Sequence, residues 1–134
     1  METSYTTRED DLNRVLNSLS EELPDPYWIA LVDQAGLVTA CIPSDPIIPP
    51  ESISAMAAVL GTSAERVLTE IEGGRLRYAS LAGSERQYLM VMLGEDRLLS
   101  IGLRPEVQPQ TTFRPLRKWI PELINVLKRR YTTF

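Results

Sequence analysis

The sequence predicts an α/β protein of the α+β sandwich kind, a five-stranded antiparallel sheet with element order α-β-β-α-β-β-β-α. Three observations predict it. Two short apolar runs flank a polar turn at 30–40, which reads as a β-hairpin. A proline-rich segment, 43–50, then leads into a long alanine-rich stretch with helical periodicity. Beyond Gly73-Gly74 come three short strand-like runs separated by turn residues. The length of 134 residues fits one domain with a real core.

Leu12, Val15, Leu16, Leu19 and Leu23 recur at helical spacing, and Glu9, Asp10 and Asp11 sit where a helix dipole favours acids. The first helix is therefore expected over about 7–22, stopped by Pro24 and Pro26. Strands follow at 27–32 and 37–42. Between them Asp33 suits the first turn position and Gly36 a positive φ. Both strands are apolar at most positions, so both faces should be covered.

The second helix is expected over 51–72. Ile53, Met56, Ala57, Leu60, Ala64, Val67, Leu68 and Ile71 form one apolar stripe. Ala55, Val59 and Thr62 form another, with Ala58 and Ser63 beside them, and Arg66 is the charged residue on that outer side. Gly61 sits mid-helix at a cost of about 1 kcal/mol against alanine. Two apolar faces mean either a deeply buried helix or one that packs on another chain, where small side chains allow close approach. Gly73-Gly74 should end the helix in the left-handed conformation.

Strands are expected at 75–82, 86–93 and 97–103. The segment 86–93, the most apolar, should be central, and the more polar 75–82 should lie at an edge. An edge strand exposes unpaired backbone, and pairing with a second copy is one way to manage it. Residues 104–112 read as an irregular connection. A last helix over about 113–131 buries Leu116, Ile120, Leu123, Ile124 and Leu127, and Pro121 should kink or break it.

The net charge of −4 disfavours nucleic acid as a partner. Residues 1–50 hold nine acidic and two basic side chains, and 104–134 hold seven basic and two acidic. An acidic first helix lying beside a basic last helix accounts for this imbalance. A single cysteine, Cys41, allows no internal disulfide and suits a reducing compartment. The opening METSYTTREDD lacks a signal-peptide pattern, and the longest apolar run, Tyr88 to Leu93, is too short to span a bilayer. A cytoplasmic location without membrane insertion is expected.

Little points to a reaction. The chain has no histidine, which removes the commonest general base and metal ligand. Gly61-Thr62-Ser63 looks like a fragment of a phosphate loop but lacks the lysine and sits inside a helix. The pairs Glu70/Glu72 and Glu95/Asp96 read as solvated surface, Cys41 as a small core residue and Trp28 as core. Trp119 suits either core or interface. No catalytic residue, metal or cofactor is assigned.

Four blocks together carry a family resemblance. ALVDQAGLVTA at 30–40, AMAAVLGTSAERVL at 55–68, GGRLRYASLAG at 73–83 and YLMVMLGEDRLLSIGL at 88–103 occur in the order of the Roadblock, or dynein light-chain-related, family. The chain resembles that family over about 7–103, as one domain spanning 1–134. The last helix fits less well, with its longer 104–115 approach and Pro121. The resemblance implies a profilin-like sheet and a homodimer. In it the third strands pair into one continuous sheet and the second helices pack antiparallel. The interface positions it implies are Ala55, Val59, Thr62 and Arg66 on the helix and Leu76, Tyr78 and Ser80 on the strand. Without settling which alternate set of strand residues faces the partner, it also implies a small Ras-like GTPase as partner, bound by a module that activates or scaffolds it without catalytic residues of its own. Two other readings compete. A secretion chaperone would have three strands between its first two helices, where this chain has room for two. A ligand-sensing domain of PAS or profilin-like type would need a pocket that the large apolar strand residues leave no room for.

Overall fold

The computed structural model describes residues 6–131. The opening residues 1–5, part of the stretch read above as lacking a signal pattern, lie outside them.

Thr7 starts the first helix with a capping box. Its hydroxyl accepts from the Asp10 amide at 3.0 Å, and the Asp10 carboxylate accepts from the Thr7 amide at 3.2 Å. The element order is α1 (Arg8–Glu22), β1 (Trp28–Val32), β2 (Val38–Ile42), α2 (Pro50–Glu70), β3 (Tyr78–Ala82), β4 (Gln87–Leu93), β5 (Arg97–Leu103) and α3 (Gln110–Lys128). Two strands separate α1 from α2, the number that sets this chain apart from secretion chaperones. In the β1–β2 turn, Asp33 Oδ1 accepts from the Ala35 and Leu37 amides at 2.9 and 3.0 Å, and Gly36 takes φ 81°.

The five strands form one antiparallel sheet in the order β2-β1-β5-β4-β3. The expectation that 86–93 is central needs correction: β5 is the middle strand and β4 lies one in from the edge. Both carry long apolar runs, and it is β1 returning to pair with β5 that decides the order. β3 is an edge strand, as its polarity suggests, and it is shorter than expected. Leu76 leaves the strand and tucks under α2 beside Ala57 and Met90.

Alternation along the strands divides the core into two layers. On one face Ile29, Leu31, Leu89, Leu99, Ile101 and Leu103 meet α1 and α3. On the other, Trp28, Ala30 and Met90 meet Ile53 and Ala57 of α2. Trp28 lies flat over its cross-strand partner Gly102, where any Cβ would collide with the indole, and its Nε1 donates to Ser100 Oγ at 3.2 Å. β2, at the other edge, is only partly covered.

α3 begins three residues before expectation, because the Thr111 and Thr112 hydroxyls bond the Gln108 and Pro109 carbonyls at 2.7 and 2.6 Å and close its first turn. Pro121 does not break it. The residue sits on the exposed side, where the backbone bond it forgoes faces water. Along α1 and α3, Asp11 accepts from the Tyr131 hydroxyl at 2.7 Å and Arg129 Nη1 at 3.1 Å, and Lys118 meets Glu22 at 3.1 Å. This is the acidic-beside-basic pairing that the charge imbalance implies.

Candidate functional site

α2 covers the sheet with a narrow stripe. Ile53 and Ala57 are buried, and Leu60, Ala64 and Leu68 are half-buried against Leu76, Met90 and Met92. Met56, Val67 and Ile71, expected on this inner stripe, are instead exposed. The inner stripe is narrower than the apolar pattern because a flat sheet touches only the positions nearest it.

The outer side is correspondingly broad. Ala55, Val59, Thr62 and Arg66 recur at helical spacing and are all exposed. Val59 is 68% exposed, Val67 60% and Ile71 66%. Leu81 of β3, 56% exposed, lies with Val59 around a groove of about 450 Å³ whose lining also includes Ala55, Met56, Leu60 and Ser63. Tyr88 lies on its floor, its hydroxyl buried with no hydrogen-bond partner among the described residues. Large apolar side chains gathered on one face mark an interaction surface.

The implied strand positions divide. Tyr78 points to the α3 side of the sheet, its ring 5.2 Å from Phe113, and Ser80 shares that side and is exposed. Leu76 is 8% exposed, covered by its own chain, so the structure does not bring it to the surface with the others. Ala79 and Leu81 form the alternate set that faces α2. Sequence reasoning omitted Leu81, although its alternation with Tyr78 and Ser80 was the signal available.

Backbone geometry leaves the β3 edge open. Gly83 N donates to Arg86 O and Met92 N to Arg77 O, both at 2.9 Å. Antiparallel alternation between these bonds directs the amides of residues 77, 79 and 81 to β4 and those of Tyr78, Ser80 and Ala82 outward.

The remaining candidates lie elsewhere. Cys41, on β2, is half-buried, and burial pushes its thiol up to about 11, well away from a reactive thiolate. Trp119 packs partly against the α1/α3 core and donates its indole N–H to Glu22. Glu70 and Glu72 are exposed, as are Glu95 and Asp96. No cluster of three or more His, Cys, Asp or Glu residues able to hold a metal occurs among the described residues. No described helix is long and apolar enough to cross a membrane.

Comparison with solved structures places this architecture. Myxococcus xanthus MglB superposes with a TM-score of 0.79 at 15% identity, over 98% of this chain and all of that one. The Roadblock/LC7 domain from Streptomyces avermitilis gives 0.75 at 14% identity, over 87% of this chain and 98% of its own. The fold is that of the Roadblock/LC7 domain. The gliding protein MglB from Thermus thermophilus shares it, with a TM-score of 0.76 at 16% identity over 92% of this chain and 93% of its own. No family model matches the sequence, and no curated protein matches it. Spatial layout is thus common to these chains at identities too low for sequence comparison to register.

Proposed function

We propose that this chain is a non-catalytic homodimeric interaction module that binds and regulates a small Ras-like GTPase, as activator or scaffold. The observation that carries the reading is the outward apolar face of α2 lying beside the open β3 edge. A single partner related by a twofold axis satisfies both. Its β3 would bond the outward amides of Tyr78, Ser80 and Ala82, and its α2 would cover Val59, Val67 and Leu81. Ala55 and Thr62, being small, suit close helix approach, and Arg66 lies at the border of the same stripe. The GTPase rests on the resemblance to Roadblock proteins, and the likeness to MglB structures supports it at the level of fold.

The test has two parts. Light scattering at micromolar concentration is expected to give a dimer. Val59→Asp should separate it without unfolding, because that side chain is exposed within one chain. The expected loss is about 3 kcal/mol, roughly a hundredfold in Kd. A monomeric wild type, or an unchanged Val59→Asp dimer, removes this interface. Used as bait with GDP and with a slowly hydrolysed GTP analogue, the protein should retain a small GTPase in one nucleotide state. Retention in neither state removes the GTPase.

A further inference from the structure

A second groove lies on the opposite face of the sheet from α2, between the start of β3 and α3, with a cavity volume of about 560 Å³. Its floor is apolar: Tyr78, Val91, Phe113 and Ile120 contribute, and the Tyr78 ring stands half-exposed against Phe113. Its rim is basic. Arg75 and Arg77 stand on one side and Arg117 on the other, and Glu95, the one carboxylate lining it, is paired with Arg75. Arg77 and Arg117 have no carboxylate within ion-pair distance among the described residues. In a chain of net charge −4 this is a local inversion of sign around an apolar trough.

We propose that this groove binds an acidic amphipathic peptide segment of a partner protein. Its apolar side chains would lie on Phe113, Tyr78 and Val91, and its carboxylates would meet Arg77 and Arg117. Charge complementarity selects this occupant. A second copy docking through the same groove about a twofold axis would set arginine against arginine. A bilayer is planar and does not reach the floor of a concave trough. A small anion would satisfy the arginines and leave the apolar floor in water. Because the groove and the outer face of α2 lie on opposite sides of the sheet, the proposal does not need the α2 contact proposed for the dimer.

Panning a random displayed peptide library on the full chain tests it, with Arg77→Glu/Arg117→Glu as the counter-selection. Both arginines are exposed, so the double variant should keep the wild-type circular dichroism and oligomeric state. The enriched peptides should combine Asp or Glu with Leu, Ile or Phe. They should bind the wild type at least about tenfold more tightly than the variant, and more weakly as salt is raised. Their amide-shift footprint should include Tyr78, Phe113 and Arg117. Should the charge reversal disturb folding, Arg77→Gln/Arg117→Gln makes the same comparison. The proposal is overturned if no peptide distinguishes the two forms, if the enriched peptides are neutral or basic, or if the footprint falls on the α2–β3 groove. A change of oligomeric state in the folded variant would also overturn it, by making this face a contact between copies.

Discussion

Glu72 holds a left-handed backbone, φ 54°, at the end of α2. The amide of Gly73 reaches the Leu68 carbonyl at 2.7 Å and that of Glu72 reaches Thr69 at 3.2 Å, the paired bonds of a Schellman turn. The double glycine marks the stop correctly, yet the left-handed position falls one residue before it. The phase of the helix, set by packing of Leu68 and Leu76, chooses the residue. Glu72→Gly is therefore expected to stabilise the fold by about 1 kcal/mol, raising Tm by about 4 °C in a thermal melt. Asp11 is a second informative residue. The Tyr131 hydroxyl, followed by Arg129 and Arg14, holds its carboxyl below the ordinary carboxylate value of 3.8. The tie it makes is complete above that value and fades as pH falls through the lowered one. Asp11→Asn should melt earlier than wild type at neutral pH, and the gap should close as the solution is acidified below about pH 4. A gap that persists in acid would show that shape rather than charge holds the two helices there.

At the scale of elements, β3 is the one whose backbone tests the interface. Proline at position 80 removes an amide that points away from β4, so the internal ladder survives while the outer edge loses a donor. Ser80→Pro is expected to weaken the proposed dimer by at least about tenfold in light scattering or analytical ultracentrifugation, with far-UV circular dichroism unchanged. An unaffected dimer would move the contact off this edge. The helices show what was legible in the sequence. Periodicity placed α1 and α2 to within a residue or two, because caps and prolines bound them closely. It did not place the true width of the outer face of α2. Met56, Val67 and Ile71 are apolar and correctly spaced for the inner stripe, and only the extent of the sheet beneath decides that they miss it. For α3, the reading of 104–112 as an irregular connection suggested a late start and Pro121 a break. The Thr111 and Thr112 hydroxyls, bonded to the Gln108 and Pro109 carbonyls, close an earlier first turn, and Pro121 lies on the solvent side of the helix.

For the molecule as a whole, the charge imbalance between the first and last segments was readable as a packed pair, because opposite charges on adjoining helices seek each other. Strand order was not, since alternation tells which face a residue takes and not which strand lies next to it. The seam between α1 and α3 has one more consequence. Arg8 donates to the Arg129 carbonyl at 2.9 Å, and its guanidinium lies 5.0 Å from the Tyr131 ring, so the last of the described residues lie beside the start of α1. A circular permutant opened between Gln34 and Ala35, both exposed at a turn tip, with residue 134 joined to residue 1, should fold to the same circular dichroism and melt cooperatively. New ends would then emerge beside β2, at the far border of the sheet from β3, and a tethered reporter could be carried there without shadowing either groove.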